Sequence, residues 1–126
     1  MSKIGCIYTV RFRYFDINLN RMNTKQRPFL IIKEENSTHP KDLSALPISS
    51  VTNKNRLDLS YDIEIDKNIY PDLNLNKDIS YIRTGKVQTI NEKDLIKKVC
   101  DNFENKYPEL YDKIRTKVQD YFVDIL

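Results

Sequence analysis

Glycine, histidine and cysteine are scarce in this chain of 126 residues, and their scarcity excludes several kinds of site. Gly5 and Gly85 are its only glycines, too few for a phosphate-binding loop or a dinucleotide fingerprint. His39 is the only histidine, which excludes a two-histidine acid–base mechanism. Together with Cys6 and Cys100 it falls short of the about four ligands that a zinc site needs. We therefore expect neither a metal nor a nucleotide-type cofactor.

Long apolar runs are absent as well. No segment approaches the ~18 apolar residues of a membrane-spanning helix, and the start of the chain lacks the apolar core of a secretory leader. We therefore expect a cytoplasmic protein with no membrane partner and with reduced cysteines. The length and the 40% hydrophobic content favour one packed domain over residues 1–126.

Positive charge is concentrated near the N-terminus. The formal net charge is +3, yet residues 1–35 alone hold seven Lys and Arg against three Asp and Glu. A cationic surface of this kind could attract phosphate groups. The alternative is a solvated face without a partner, and charge alone favours that alternative.

The most informative stretch begins at Arg27-Pro28 and continues as an apolar run over residues 29–32. It follows a polar, basic segment, residues 16–26, that reads as a loop. The pattern places a lone arginine at the mouth of a buried strand. Such an arginine is either an ion-pair partner, for example of Asp16 or Glu34, or the edge of a site for an anion.

Hydrophobic periodicity predicts a domain built mainly of strands. Residues 34–42 read as a polar loop. Alternating or continuous apolar residues predict strands over 4–15, 27–33, 43–49, 59–65, 79–83 and 86–90. These strands predict a small, strongly curved antiparallel barrel over about residues 4–90.

Two helices are predicted after the barrel. Asn91 is a good N-cap, and an apolar stripe from Leu95 to Phe103 indicates a helix over about 92–103. Pro108 then begins a second helix, over 108–125, whose apolar residues keep a helical period. The predicted fold class is α+β, mainly β, with C-terminal helices.

With these elements in order, the chain resembles the PemK/MazF family of toxin endoribonucleases, which have an SH3-like barrel. Three segments carry this resemblance, and in the third of them, Leu46-Pro47-Ile48-Ser49-Ser50, Ser49 takes a threonine position. Cys6 replaces the family's usual acidic residue, and Gly85-Lys86 replaces an Asp-Gln pair. The matching segments are Ile4-Gly5-Cys6-Ile7-Tyr8, Arg27-Pro28-Phe29-Leu30-Ile31-Ile32 and Leu46-Pro47-Ile48-Ser49-Ser50, with a weaker match over residues 82–91.

The resemblance implies metal-independent cleavage of single-stranded RNA without a cofactor. The substrate's own 2′-hydroxyl attacks the adjacent phosphorus and leaves a 2′,3′-cyclic phosphate and a 5′-hydroxyl. By the same resemblance Arg27 stabilises the transition state and Ser49 hydrogen-bonds the scissile phosphate. Ser50 could substitute for Ser49, and a serine that caps a turn is the structural alternative.

Four basic side chains are candidate RNA ligands in addition to Ser50. Arg21 and Lys25 belong to the segment predicted to cover a nucleic-acid groove, and Arg83 and Lys86 could line the same groove. Solvated surface charge is the alternative for each of them, and for Lys86 it is the favoured one.

The resemblance also implies partners. It implies a homodimer with RNA, expected to be mRNA, across the dimer interface, and a cognate antitoxin whose acidic and apolar segment competes for that groove. Two other hypotheses remain open. The Cys6 and Gly85-Lys86 departures would suit a catalytically inactive RNA- or protein-binding module on the same fold. The chain could also be an unrelated small α+β protein.

Overall fold

The computed structural model describes residues 2–35, 38–50 and 54–126. Strand is the commonest secondary structure in this part, and the two helices come last. Short 3-10 turns cover Lys54–Arg56, Pro71–Leu73 and Glu92–Asp94. The strands and helices are β1 (Ile7–Asp16), β2 (Arg21–Glu34), β3 (Asp42–Ser49), β4 (Asp62–Asp66), β5 (Ile79–Arg83), β6 (Gln88–Asn91), β7 (Leu95–Cys100), α1 (Phe103–Lys106) and α2 (Pro108–Ile125).

The strands form one curled antiparallel sheet in the order β4-β5-β3-β2-β1-β7, and β6 also pairs with β3. The predicted fold class, a mainly β curved antiparallel barrel with C-terminal helices, is confirmed. No helix in the described ranges is long and apolar enough to cross a membrane.

Over residues 29–31 both faces of β2 are buried, as the continuous apolar run predicts. Leu30 belongs to a large cluster in which strand residues such as Ile7 and Leu46 meet Phe103 and Ile114 of the helices. The neighbouring side chains Phe29 and Ile31 point the other way, into a second cluster of buried residues. β2 is therefore held from two sides close to Arg27, which lies two residues before Phe29.

The predicted loop over 16–26 is wrong, because β2 begins at Arg21 and only residues 17–20 form the turn. β1 and β2 pair without interruption from Ile7↔Leu30 to Asp16↔Arg21. Beyond Val10, β1 pairs with β2 alone among the described residues, so the hairpin projects as a two-stranded arm over residues 11–26. Residues 21–26 of this arm are mostly exposed and lack the apolar alternation that marks a strand in sequence.

The predicted helix over 92–103 is also wrong. Asn91 does act as a cap, accepting a 3.0 Å hydrogen bond from the Lys93 amide, but only a 3-10 turn follows. Residues Leu95–Cys100 form β7, which pairs with the open edge of β1. Two register shifts along this pairing interrupt the period-2 pattern. The apolar spacing consequently mimics a helix.

The remaining elements agree with the sequence within a few residues. α2 begins at Pro108 as predicted. β1 starts at Ile7 rather than residue 4, because Gly5 adopts a φ of 82° in a turn. β4 starts only at Asp62, since Leu59 lies in a turn and is 88% exposed. The predicted loop 34–42 falls partly outside the described residues.

Candidate functional site

Arg27 and Ser49 meet at the same end of the sheet. Phe29 of β2 faces Pro47 of β3, and Arg27 and Ser49 each lie two residues further along their strands in that direction. Because strand side chains alternate, both are on the face that carries Phe29 and Pro47. Both residues, with the neighbouring Ser50, border a groove of about 620 Å³. The two motifs that are distant in sequence thus converge.

Arg27 is half-buried and has no ion pair among the described residues. Its guanidinium carbon lies 5.2 Å from the centroid of the Phe12 ring. The carboxylates considered as partners are engaged elsewhere. Asp16 accepts the Asn18 amide at 3.0 Å, and Glu34 lies 3.8 Å from Lys41 Nζ.

Burial lowers the pKa of Arg27, and the nearby positive charge of Arg83 lowers this pKa further. Both effects disfavour the charged guanidinium when no anion is bound. An anion at this position would relieve the repulsion between the two arginines. The environment of Arg27 therefore differs from that of a satisfied ion pair, and a bound anion would stabilise its charged form.

Arg83 lies outside the groove and is held in a fixed position. Its Nε donates to Asp62 Oδ1 at 3.2 Å, and a terminal nitrogen lies 3.2 Å from Asp62 Oδ2. That same nitrogen donates to the Arg56 carbonyl at 3.0 Å. The Asp62 side chain is only 3% exposed, so this forked ion pair is a structural one. Arg83 therefore contributes positive charge near Arg27 without lining the groove itself.

The other predicted ligands are spread along the molecule, and none of them lines the groove. Lys25 is exposed on the arm, with its ammonium 4.7 Å from the Tyr14 ring centroid and 5.5 Å from that of Phe12. It therefore shares Phe12 with Arg27. Arg21 lies at the tip of the arm opposite Asp16, and Lys86 is exposed in the turn after β5.

Three lysines on the groove were missed from sequence: Lys77, Lys97 and Lys98. Lys97 and Lys98 fall within the helix predicted over 92–103, so the sequence did not place them on a strand beside β1. Lys77 lies in an irregular Asn- and Asp-rich segment without any periodicity. The Lys-Lys dipeptide itself was the available signal. No aspartate or glutamate in the described part of the chain lines the groove.

Glu92 organises a second polar cluster, which is separate from the groove. Its carboxylate lies 2.7 Å from Lys3 Nζ and 2.6 Å from His39 Nδ1, and it accepts the Lys41 amide at 2.5 Å. Hydrogen bonds from Lys3 and from the Lys41 backbone lower the pKa of Glu92 to about 2. Within the described ranges, no three His, Cys, Asp or Glu residues gather as a metal site would require.

Comparison with known proteins adds one finding to this geometry. The family model described as PemK-like, MazF-like toxin of type II toxin–antitoxin systems matches residues 3–121. No curated protein matches the chain. The matched range contains both strands that bring Arg27 and Ser49 together, and it extends through most of α2.

Proposed function

The chain belongs to the PemK-like, MazF-like toxins of type II toxin–antitoxin systems, and from this membership we propose that it is a metal-independent endoribonuclease acting on single-stranded RNA. The observation that carries the proposal is the half-buried Arg27, which has no ion pair among the described residues and lies beside Ser49 on a groove without carboxylates. The cell's mRNA would be the substrate, in the cytoplasm.

The proposed reaction uses a nucleophile that the substrate supplies. The 2′-oxygen forms a bond to the adjacent phosphorus while the bond from phosphorus to the 5′-oxygen breaks. A proton leaves the 2′-hydroxyl and a proton reaches the departing 5′-oxygen. The products carry a 2′,3′-cyclic phosphate and a 5′-hydroxyl. The protein's task is then to orient one phosphodiester and to stabilise the charge that develops on its oxygens.

Arg27 suits this task because a guanidinium offers a fixed fork of donors to phosphate oxygens. Its partial burial strengthens the interaction, since charges interact more strongly away from water. The lowered pKa of Arg27 also makes it easier for this side chain to share a proton with the reacting oxygens. We assign transition-state stabilisation to Arg27 as its main role.

Ser49 would donate its hydroxyl to the same phosphate. It is half-buried and lies on the face that carries Arg27, whereas Ser50 is exposed and follows the end of β3. We therefore assign the catalytic hydroxyl to Ser49 and a substrate-binding role to Ser50. Lys25 and Arg21 would attract the RNA backbone along the arm, and Arg83 would add positive potential. Lys86 lies outside the groove and has no part in the proposal.

Membership of a type II system implies an antitoxin partner for this chain. We propose that the active form is a homodimer, that RNA lies across its interface, and that the antitoxin competes with RNA for the groove. A segment rich in carboxylates would suit a groove lined by Arg27 and three lysines.

The proposal is tested by incubating the purified protein with a long RNA of mixed sequence in EDTA and mapping the new ends. Discrete cuts with 5′-hydroxyl ends, lost in Arg27→Ala and retained in Lys86→Ala, are the expected result. Intact RNA over a wide range of enzyme concentrations, or equal cleavage by folded Arg27→Ala, would refute it.

A further inference from the structure

The proposed reaction needs a proton acceptor that neither Arg27 nor Ser49 provides. The 2′-hydroxyl must lose its proton as its oxygen attacks phosphorus. An arginine is a poor acceptor because its side chain holds its proton tightly, and the Ser49 hydroxyl serves as a donor to the phosphate. Histidine and carboxylate side chains are the usual acceptors. The only histidine, His39, has its Nδ1 2.6 Å from Glu92 in the separate polar cluster. A carboxylate close to Arg27 and Ser49 would fill the role.

Glu64 lies on the face of the sheet that carries Arg27 and Ser49. Ser49 of β3 pairs with Tyr81 of β5, and Tyr81 pairs with Glu64 of β4. Paired residues of antiparallel strands share a face, so these side chains form one row across the sheet, and Arg27 continues the row on β2. Two strand spacings, about 10 Å, separate the backbones at Ser49 and Glu64. A nucleotide whose phosphate lies over β3 would therefore extend its ribose over β5 toward Glu64.

A hydrogen bond from Tyr81 orients the Glu64 carboxylate. Tyr81 Oη donates to Glu64 Oε1 at 3.2 Å, and Tyr81 is only 7% exposed, so the surrounding protein restricts its ring. Burial, followed by this hydrogen bond, raises the pKa of Tyr81, and the phenol therefore keeps its proton and remains the donor. Glu64 itself is exposed, and its other oxygen accepts no hydrogen bond from a described residue. That oxygen is accessible to a substrate.

Two other carboxylates share this face of β4, and both are engaged. Asp62 forms the forked ion pair with Arg83, which is on the neighbouring strand. Asp66 lies at the far end of β4, where it accepts the Asn68 amide at 2.9 Å. Glu64 takes part in no ion pair within the described part of the chain. Its carboxylate is therefore the one on this face that can take up a proton without breaking an ion pair or a turn.

We propose that Glu64 is the general base of the cleavage reaction and that Tyr81 is its positioning residue. The Glu64 carboxylate takes the proton of the 2′-hydroxyl while the 2′-oxygen forms its bond to phosphorus and the bond from phosphorus to the 5′-oxygen breaks. The departing 5′-oxygen receives a proton from solvent, and Glu64 then returns its own to solvent. The inference rests on the proposed function, because it assigns one proton of that reaction.

The test compares Glu64→Gln with Asp66→Asn, which neutralises a carboxylate on the same face of the same strand. Single-turnover cleavage of RNA in EDTA is followed over a series of pH values. Glu64→Gln is expected to lower the rate by about 10²-fold or more, the usual contribution of a general base, and Asp66→Asn should keep the wild-type rate. The wild-type rate should fall toward acid pH as the base is protonated. This fall should be absent from the residual activity of Glu64→Gln.

Three further measurements distinguish a base from a structural residue. Binding is measured by fluorescence anisotropy with a labelled RNA whose 2′-oxygens are all methylated, since it has no attacking hydroxyl. The Kd and the melting temperature of Glu64→Gln should match those of the control. Added formate should restore part of the rate to Glu64→Ala, because it supplies a carboxylate. Tyr81→Phe should lower the rate several-fold and keep the fall at acid pH, since the carboxylate remains.

The outcomes separate this inference from the proposed function. Wild-type cleavage that Glu64→Gln matches would overturn Glu64 as the base and leave the ribonuclease in place. A slower Glu64→Gln that also binds the methylated RNA more weakly, or that keeps the wild-type fall at acid pH, would overturn the base as well. RNA left intact by the wild-type protein would overturn both.

Discussion

Phe12 supports the guanidinium of Arg27. The Arg27 guanidinium carbon lies 5.2 Å from the Phe12 ring centroid, and Phe12 in turn packs edge-on against the buried Phe29, with centroids 6.3 Å apart. The arginine is therefore positioned by a ring that is itself anchored in the second core cluster. An arginine fixed in this way loses little conformational freedom when it binds a phosphate.

Removing the guanidinium should abolish most cleavage and leave the fold intact. Arg27→Ala and Arg27→Lys are both expected to lower kcat by about 10²–10³, the usual effect of losing one donor to a developing oxyanion. Lysine is included because its point charge cannot reproduce the fork of a guanidinium. Single-turnover cleavage gives the rates. A kcat for Arg27→Lys close to that of wild type would show that charge alone is sufficient.

Phe12→Leu should reduce cleavage by positioning Arg27 poorly. A cation–π contact contributes about 0.5–2 kcal/mol, so we expect kcat to fall several-fold while the KM for RNA changes little. Tyr14→Leu is the matched control, because Tyr14 contacts Lys25 and has no such contact with Arg27. Thermal melting should accompany the kinetics. A fall in kcat of the same size in both variants would argue against a specific role for Phe12.

The two adjacent serines can be distinguished. Ser49→Ala should lower kcat by about tenfold or more through the loss of one hydrogen bond to the transition state, and Ser50→Ala should have a smaller effect, mainly on KM. Ser49→Thr should retain activity, since it preserves the hydroxyl. The opposite order of effects would assign the catalytic role to Ser50.

Asp62→Asn should destabilise the protein, because it leaves the guanidinium of Arg83 without its carboxylate. Breaking a buried pair costs about 3–5 kcal/mol, and we expect about 2–3 kcal/mol here because the Arg83 side chain remains 20% exposed. Urea denaturation measures the change. Glu64→Gln, an exposed carboxylate on the same strand, should change the free energy of unfolding much less.

Stability should fall at acid pH through Glu92. Its pKa in the folded protein is about 2, below the ordinary value of 4.5. The stabilising contribution is therefore fully present above about pH 4.5 and is lost as the pH falls toward 2. Melting temperatures recorded over this range should decline less steeply in Glu92→Gln than in wild type. Glu35→Gln, which changes an exposed carboxylate, should leave the slope unchanged.

The sequence was sufficient to predict an element where the local residue pattern and the tertiary structure agree. The apolar run after Pro28 predicted a strand buried on both faces, and Pro108 predicted the start of α2. The convergence of Arg27 and Ser49 followed from matching two short motifs, and β2–β3 pairing brings them to one end of the sheet.

Prediction from the sequence failed where pairing with β1 determines the structure and the local residue pattern does not. Residues 21–26, the second strand of the arm, look like a loop in sequence because hydrogen bonds to β1, rather than a core, hold them extended. β7 looks like a helix because two register shifts hide its alternation. Because β7 was predicted as a helix, Lys97 and Lys98 were not recognised as residues that border the groove. The ion pair between Arg83 and Asp62 depends on the register in which β4 pairs with β5, and this register cannot be predicted from the sequence.

The central claim is that the RNA's own 2′-hydroxyl attacks the adjacent phosphorus and that Arg27 stabilises the transition state of this attack. The most direct measurement compares an RNA containing one mapped cleavage site with the same RNA carrying a single 2′-deoxynucleotide on the 5′ side of the scissile bond. The account predicts that the deoxy substitution abolishes cleavage at that site and leaves binding nearly unchanged, and that the unmodified RNA yields a 2′,3′-cyclic phosphate by mass spectrometry. Cleavage of the deoxy-substituted site at an undiminished rate would contradict it.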